Sequence, residues 1–572
     1  MAMSADTAPP MRWRSLTVAW GLTVVWGLLI LRLLQIQGWQ REQFTRRATR
    51  QQQSFEIVPA RPGDLVDRRG RLLATTVSVQ SLFLDPQAVS DPLATALALE
   101  AAIGIPADTL QERILNAQDK RFLWIKRRLT DDEVNRILIA RLPRTEWGFR
   151  SEFQREYPQG ALAGHILGWR DIDGMPHGGV EESLHSRLIG TPGRRPIVRD
   201  SRGFVIAIDG EQSEPATPGE NIQLSIDTVT QLHVERQLDK LMEQHRPHGA
   251  CAVVLDPWSG EVLAMASRPA FNPTQPDQAP PNSWRNLAIQ AAYEPGSTFK
   301  PLIVAGALDE GVIRNDESFH CGHGVYRMGP RVLHDHHRYG SLTVKEILVK
   351  SSNVGMARIG ERMTNTRLEH VARQLGFGRR TGIELPGELP GTLHPIEEWT
   401  IYSTGSIPMG QELTATPLQL LAAHGALANG GHWVTPHLTL SRPGTGSSSN
   451  VLSTEVFGHE SARWVVQEAM TDVVLRGTGT KARIDEYPLF GKTGTSQKIE
   501  PNGKYSHTRH VSSFVCGAPV IAPRVVVIVT VDEPTSAGSD YGGIVAAPVA
   551  AEIVREVLPY MQVPTRISDR RP

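Results

Sequence analysis

The segment AAYEPGSTFKP, from Ala291 to Pro301, carries a serine and a lysine three positions apart and is followed by the apolar run LIVAGALDEG. Positions i and i+3 share one face of a helix. Ser297 at the start of a buried helix would therefore have Lys300 one turn away, close enough to take its proton. A serine hydroxyl is a weak nucleophile unless a base lies beside it, and a desolvated lysine can be that base. The segment predicts a buried helix that presents a nucleophile, with Pro301 tolerated in the first turn.

A Ser-x-x-Lys tetrad alone is weak evidence, because this spacing occurs by chance in many long chains and usually marks a solvated helix face. Two further motifs follow it in order. Ser351 to Asn353 lies in VKSSNVGM, and Lys492 to Gly494 lies in LFGKTGTSQK. This ordered set is the signature of the penicillin-interacting serine enzymes. On these motifs the sequence resembles a class B penicillin-binding protein, a peptidoglycan D,D-transpeptidase.

The resemblance implies a role for each residue of the first two motifs. Ser297 would attack the carbonyl of a D-Ala-D-Ala bond and release D-alanine, while Lys300 accepts the serine proton. Ser351 would relay that proton toward the leaving amine, and Asn353 would hold Lys300 and the substrate amide. Ser352 has the least defined role. The predicted catalytic residues are Ser297, Lys300, Ser351, Asn353 and Lys492.

The third motif is predicted to bind the substrate. Lys492 would place positive charge where the terminal carboxylate of the substrate docks, and Thr493 and Thr495 would offer hydroxyl donors. Gly494 would let the strand approach a ligand closely. The backbone N–H groups of Ser297 and Thr495 are the predicted oxyanion hole, where each donor contributes roughly 3 kcal/mol in the transition state. The resemblance implies no cofactor and no metal.

A nearly continuous apolar run, LTVAWGLTVVWGLLILRLL, spans Leu16 to Leu34. Nineteen helical residues extend about 28 Å, close to the hydrocarbon thickness of a bilayer. No small-x-small cleavage site follows, so an uncleaved anchor over residues 16–37, after a cytoplasmic tail at 1–15, is favoured over a removable signal peptide. Two arginines shortly precede the span and four shortly follow it, so the positive-inside count alone favours a cytoplasmic location for the bulk of the chain. The resemblance places the anchor in the inner membrane and the bulk of the chain outside the cytoplasm.

The remaining sequence predicts an α+β fold in two parts. Residues 38–220 form an elongated, non-catalytic pedestal domain, which is related to dimerisation domains by the resemblance. Residues 221–562 form the transpeptidase domain, and 563–572 are a tail. In the latter domain CAVVLDPWSGEVLAMA, Cys251 to Ala266, predicts a hairpin. Strands from both ends of the domain, with helices between them, imply an antiparallel sheet flanked by helices.

Two groups of residues outside the motifs invite functional interpretations. The first group could form a catalytic charge cluster, but ion pairs that lock two pedestal segments together are the favoured interpretation. Its members are Arg61, Asp67, Arg155 and Glu181. The loop FHCGHGVYRMGPRVLHDHHRYG contains potential zinc ligands. Its spacing matches no closed zinc site, so a loop packed near the active site is favoured and metal binding stays an alternative. The potential ligands are His320, Cys321, His323, His334, Asp335, His336 and His337.

Several partners follow from the resemblance. Stem peptides ending in D-Ala-D-Ala and β-lactams are the expected ligands, and a glycosyltransferase and other division proteins are expected partners. Lysine plus arginine equals aspartate plus glutamate, 60 against 60, so nothing argues for nucleic acid. GGVEESLHSRLIGTPG and KTGTSQK favour the division type over the elongation type. A carboxypeptidase, a β-lactamase and an inactive scaffold remain less favoured alternatives.

Overall fold

A computed structural model describes residues 11–42, 53–199, 205–208, 213–440, 453–500, 503–535 and 541–565. The chain divides into two compact units. The smaller unit consists of residues 1–61 and 189–219, and the larger unit consists of residues 62–188 and 220–572. Residues 1–10 and 566–572 of the two predicted tails lie outside the described residues.

The smaller unit contains an apolar helix and a three-stranded antiparallel sheet. The helix Met11–Leu34 continues into a π-helical turn, Gln35–Trp39. Among the described residues, Leu16–Trp39 is the one helical stretch long and apolar enough to cross a membrane, and its apolar side chains are exposed. It coincides with the predicted anchor. The sheet strands, in spatial order, are Gln53–Val58, Gly193–Arg199 and Val205–Ile208.

The first part of the larger unit is a five-stranded sheet covered by three helices. Asp91 and Thr130 cap two of the helices with their side chains, as sequence rules for helix N-termini require. Buried aliphatic side chains of the sheet and helices share one core. The strands are Leu65–Val66, Leu72–Leu84, Leu123–Leu129, Trp147–Glu156 and Ile222–Gln223. The helices are Pro92–Ile103, Ala107–Leu115 and Asp131–Ile139.

A buried network of ion pairs and hydrogen bonds connects separate segments of this part. The carboxylate of Glu181, fully buried, accepts from Arg155 at 2.6 Å and from Arg170 at 2.5 Å. Arg155 also donates to the carbonyl oxygen of Gly63 at 2.7 Å. Asp67, also fully buried, accepts from the Thr228 hydroxyl at 2.6 Å. The contact of Arg155 with Gly63 joins the two pedestal segments and agrees with the structural interpretation of Arg155 and Glu181. Asp67 instead contacts Thr228, which lies outside the predicted pedestal.

The second part of the larger unit is built on a five-stranded antiparallel sheet. Alternate residues of a strand face opposite sides of a sheet. In the central strand Gly249–Leu255, Cys251 and Val253 therefore pack into one core, while Ala250 and Ala252 pack into another on the opposite face. In spatial order the strands are Val262–Arg268, Gly249–Leu255, Val525–Asp532, Tyr505–Ala518 and Phe490–Ile499.

Helices cover both faces of this sheet, which confirms the predicted α+β architecture and the Cys251 to Ala266 hairpin. One face is covered by Thr228–His245 and Ala547–Tyr560, and the other by Lys300–Asp309 and Pro417–Ala428. The other α-helices are Gly164–Leu167, Gly179–Ser183, His185–Leu188, Leu287–Gln290, Val344–Lys350, Asn353–Gln374, Ser403–Ser406, His459–Trp464, Thr471–Arg476 and Gly542–Val545.

Short strands and turns complete the larger unit. The short strands pair as Trp169–Arg170 with Pro176–His177, Ser318–His320 with Ser341–Thr343, Val325–Met328 with Arg331–His334, Thr392–Leu393 with Leu413–Thr414, and His432–Val434 with Ser453–Glu455. The 3-10 turns are Pro276–Gln278, Pro281–Trp284, Gly296–Phe299, Gly322–Gly324, Ile396–Glu398, Ile407–Met409 and Thr480–Ala482, and Val465–Met470 is π-helical.

Candidate active site

The predicted nucleophile lies on a tight turn at the start of a buried helix. Gly296–Phe299 forms a 3-10 turn that leads directly into the helix Lys300–Asp309. Gly296 adopts φ +56°, a conformation that glycine reaches without strain, and its N–H donates to the carbonyl oxygen of Gly410 at 3.0 Å. Ser297 is half-buried and lines an open cleft. The turn thus exposes the hydroxyl-bearing residue while the helix behind it is fixed in the core.

Lys300 is fully buried and points to the second motif. Its Nζ donates to the carbonyl oxygen of Ser351 at 2.7 Å, to the Ser351 Oγ at 3.3 Å and to the Asn353 Oδ1 at 2.8 Å. Burial lowers the pKa of Lys300 to about 7, because desolvation disfavours the charged amine, while the charge of Asp335 acts in the opposite direction. An amine with this pKa can accept a proton near neutral pH.

The second motif forms the junction between two helices. Ser351 ends the helix Val344–Lys350 in a left-handed conformation, with φ +56°. A non-glycine residue is uncommon there, and such backbone conformations concentrate at functional sites. Ser352 begins the next helix, Asn353–Gln374, as its N-cap, because its Oγ accepts from the Gly355 N–H at 2.9 Å. This capping contact gives the middle residue of the motif a structural role that the sequence left undefined.

Asp335, which belongs to none of the three motifs, holds the second motif in place. Its carboxylate accepts from the backbone N–H groups of Asn353 at 2.5 Å and Val354 at 3.0 Å, and from the Ser352 hydroxyl at 2.8 Å. A carboxylate is favoured here because unpaired N–H groups and the positive end of the macrodipole meet at a helix N-terminus. The Asn353 amide donates to the carbonyl oxygen of His334 at 3.0 Å. The histidine-rich loop therefore packs against the active site, which is the interpretation that the sequence favoured.

The potential zinc ligands of this loop do not converge. Within the described ranges, histidine, cysteine and acidic side chains form no group of three or more that could hold a metal ion. Cys321 is buried beside the Ser352 hydroxyl, with 3.8 Å between Sγ and Oγ. His336 and His337 instead line the cleft.

The third motif lies on the edge strand Phe490–Ile499. Lys492 is fully buried, and its Nζ donates to the Ser351 Oγ at 3.0 Å and to the carbonyl oxygen of Thr493 at 3.1 Å. Burial and the nearby charge of Lys300 hold the pKa of Lys492 well below its usual range. One hydroxyl thus joins the lysines of the first and third motifs.

The edge strand lies directly against the nucleophile turn at Gly494. A Cβ placed on Gly494 would lie 2.4 Å from the Ser513 Oγ, 2.9 Å from the Thr298 Cγ2 and 3.2 Å from the carbonyl oxygen of Pro295. The Ser513 hydroxyl, on the adjacent strand, could rotate away, but the separations from Thr298 and Pro295 are shorter than van der Waals contact. A side chain at this position would therefore push the strand and the turn apart. The structure therefore explains the glycine by a close approach within the protein itself.

A cleft of about 620 Å³ brings the predicted residues together. Three other predicted residues do not line the cleft but contact Ser351 or each other directly behind its wall. These are Lys300, Asn353 and Lys492. All eight predicted site residues therefore meet in one place. The predicted residues that line the cleft are Ser297, Ser351, Thr493, Gly494 and Thr495.

Two residues that line the cleft, Thr478 and Tyr541, had no signal in the sequence, and a third, His336, was considered only as a potential zinc ligand. The hydroxyl of Thr478 lies 2.7 Å from that of Thr493. The ring of Tyr541 lies edge-on to that of His336, with 5.9 Å between centroids, and all three residues line the cleft. They come from separate loops that meet through the fold alone. Only His336 lay in a segment that the sequence placed near the active site.

Two family models match the chain. The model for the penicillin binding protein transpeptidase domain matches residues 250–555, and the model for the penicillin-binding protein dimerisation domain matches residues 56–172. The first match covers more than half of the chain. The chain belongs to the penicillin-binding protein transpeptidase family. The dimerisation match falls within the predicted pedestal, and the two domains together identify a class B penicillin-binding protein.

Relatives place this penicillin-binding protein in the FtsI type. It is 34% identical over 502 residues to the probable peptidoglycan D,D-transpeptidase PenA of Neisseria gonorrhoeae, covering 87% of this chain and 84% of the relative. It is 33% identical over 507 residues to the peptidoglycan D,D-transpeptidase FtsI of Escherichia coli (strain K12), covering 88% and 84%. The crystal structure of penicillin binding protein 3 from Mycobacterium tuberculosis, complexed with aztreonam, superimposes with a TM-score of 0.67 at 26% identity, covering 89% of this chain and 98% of that chain.

Proposed function

We propose that this protein is a serine-type peptidoglycan D,D-transpeptidase that cross-links stem peptides and is acylated by penicillins. The observation that supports this most directly is the fully buried Lys300, which contacts Ser351 and Asn353 and has a pKa of about 7. An amine in this state, one helical turn from a half-buried serine, has the properties of a general base. The relative FtsI of Escherichia coli is named a peptidoglycan D,D-transpeptidase and PenA a probable one, which supports the same reaction.

Acylation forms one bond and breaks another. The Ser297 Oγ attacks the carbonyl carbon between the two terminal D-alanines, and its proton passes to Lys300. The backbone N–H groups of Ser297 and Thr495 stabilise the oxyanion, at roughly 3 kcal/mol for each donor. The Ser351 hydroxyl contacts both Lys300 and Lys492, so it can carry a proton to the leaving nitrogen. The C–N bond then breaks and D-alanine leaves.

The third motif binds the terminal carboxylate of the donor peptide. Lys492 supplies the positive charge, and the hydroxyls of Thr493 and Thr495 donate hydrogen bonds. The Thr495 Oγ1 also accepts from the Gly542 N–H at 3.1 Å, which leaves its hydroxyl proton free to donate to a ligand in the cleft. A penicillin carries a carboxylate beside a strained amide and fits the same positions. In the second half-reaction an amine of a neighbouring stem peptide attacks the acyl-enzyme and restores Ser297.

We also propose where and with what partners the protein acts. The apolar helix serves as a single inner-membrane anchor at residues 16–37, with the catalytic domain on the periplasmic side. Residues 38–220 act as the pedestal and residues 221–562 as the transpeptidase domain. The relation to FtsI supports a role in septal wall synthesis, beside a glycosyltransferase and other division proteins.

Covalent labelling tests the proposed nucleophile. Purified protein is incubated with a fluorescent penicillin, and the modified peptide is located by mass spectrometry. We expect a lasting adduct on Ser297 in the wild-type protein and none in Ser297→Ala. Ser318→Ala, at an exposed strand position, should label like wild type. An adduct that persists in Ser297→Ala would refute the nucleophile, and rapid release of hydrolysed penicillin would indicate a β-lactamase.

A further inference from the structure

The charged side chains that line the active-site cleft, among the described residues, are all cationic. Three cationic side chains line it, those of Lys350, Arg476 and Lys481, and no aspartate or glutamate among the described residues does so. The reaction itself uses a different cation, the buried Lys492, for the terminal carboxylate. The cleft therefore carries more positive charge than one carboxylate requires.

Only two of the three lining cations are available to a ligand. Arg476 is held by Asp472 at 2.8 Å and by Glu346 at 3.2 Å, which neutralise its charge. Lys350 and Lys481 are exposed, and neither forms a salt bridge within the described part of the chain. An ammonium group without a carboxylate partner, facing a cleft, attracts anions.

Both lysines line the cleft close in sequence to residues that contact the third motif. Lys350 directly precedes Ser351, the residue that faces Lys492. Lys481 lies in the 3-10 turn Thr480–Ala482, three residues after Thr478, whose hydroxyl contacts Thr493. In the proposed reaction the third motif holds the carboxylate of the departing D-alanine, and on that basis the two lysines would extend the positive region beyond that carboxylate.

We propose that Lys350 and Lys481 form an anion-binding extension of the cleft that favours acyl donors whose leaving side carries negative charge. This inference rests on the proposed function of the same cleft. The extension takes a carboxylate or another small anionic group next to the position held by Lys492. For the stem peptide it attracts the terminal carboxylate and accepts it again as D-alanine departs. For a β-lactam it distinguishes substituents on the leaving side by their charge.

Three cephalosporins with the same acyl side chain provide the test, because they differ in charge at C3. Cefotaxime carries a neutral group there, ceftriaxone an acidic heterocycle and cefpirome a cationic one. We measure second-order acylation rate constants at low and high ionic strength. In wild type the ratio of the ceftriaxone to the cefpirome rate constant should fall as salt rises. In Lys350→Gln/Lys481→Gln it should fall by roughly threefold to tenfold at low salt, because two exposed charge interactions are lost.

A matched control separates local binding from net charge. Lys120→Gln/Lys240→Gln removes two exposed lysines that do not line the cleft, and it should leave the ratio as in wild type. An unchanged ratio in the Lys350/Lys481 variant would overturn the proposal, as would an equal fall in the control. The neutral cefotaxime separates a failure of acylation from a failure of charge preference. If it fails to acylate Ser297 in wild type, the proposed function itself fails.

Discussion

Lys300 and Lys492 donate to the same hydroxyl oxygen, the Oγ of Ser351, at 3.3 Å and 3.0 Å. Burial lowers the pKa of both amines, and the charge of Lys300 lowers that of Lys492 further. Two ammonium groups around one atom in a dry site repel each other. The pair therefore holds fewer than two protons near neutral pH. In the state that reacts, the remaining proton lies on Lys492, and Lys300 is the neutral amine that accepts the proton of Ser297.

Acylation should depend on pH with a midpoint near 7. The neutral form of Lys300 is the base, and below its pKa of about 7 the amine is protonated and cannot accept the serine proton. The second-order rate constant for benzylpenicillin should therefore rise with pH through this value and then level off. Stopped-flow measurements from about pH 5.5 to pH 9, with circular dichroism to confirm folding, test this. A rate constant independent of pH would rule out Lys300 as the base.

Replacing the capping carboxylate should move that midpoint. The charge of Asp335 raises the pKa of Lys300, so Asp335→Asn should lower it and shift the pH–rate profile to lower pH. The same change weakens the cap on Asn353 and Val354 and should cost about 1–2 kcal/mol of unfolding free energy. Denaturant unfolding and the acylation profile measure the two effects separately.

A matched variant checks that the shift is local. Asp316→Asn removes one exposed carboxylate that pairs with Arg314 and lies outside the cleft lining. Neither its pH–rate midpoint nor its stability should change appreciably. If Asp335→Asn lowers stability but leaves the midpoint in place, Asp335 acts on the helix and not on Lys300.

The buried ion-pair network should matter for stability and not for chemistry. Glu181→Gln removes the charge that pairs with Arg155 and Arg170 and leaves both guanidinium groups buried, at a cost of about 3–5 kcal/mol. The neighbouring exposed Glu182→Gln should cost under about 1 kcal/mol. Urea unfolding measures both, and the acylation rate of folded protein should equal that of wild type. A slower rate in fully folded Glu181→Gln would contradict a purely structural role.

Local chemistry made the three motifs predictable. Ser297, Ser351 and Lys492 each belong to a short sequence whose residue types fit one reaction, and the apolar pattern predicts the buried helix that follows Ser297. The hairpin of Cys251 to Ala266 is equally local, because its turn residues and both strands are contiguous. The role of Ser352 as an N-cap could also have been predicted, because serine before a helix is a common cap.

Contacts between distant segments were not predictable in the same way. Asp335 reaches the second motif because a hairpin returns the chain to a helix end, and nothing in the local sequence distinguishes that cap from a metal ligand. Thr478 and Tyr541 meet Thr493 and His336 through the packing of separate loops. Such juxtapositions depend on tertiary structure, which periodicity and turn residues do not encode.

Gly494→Ala should damage the active site more than the fold. The added methyl carbon would lie 2.9 Å from the Thr298 Cγ2 and 3.2 Å from the carbonyl oxygen of Pro295, so the edge strand must move away from the nucleophile turn. Overpacking of this kind costs about 1–3 kcal/mol, and a misplacement of about 1 Å between reacting groups can slow a reaction about a hundredfold. We expect a modest fall in melting temperature and a much larger fall in the penicillin acylation rate.

Gly340→Ala is the matched control, because a Cβ there meets no atom within 4 Å and the residue does not have a positive φ. It should acylate and melt like wild type. Thr298→Ser in the Gly494→Ala background removes the methyl group that the new side chain would meet and should restore part of the rate, since the turn can then approach the strand again. If Gly494→Ala acylates at the wild-type rate, the close contact between strand and turn does not set the geometry of the reaction.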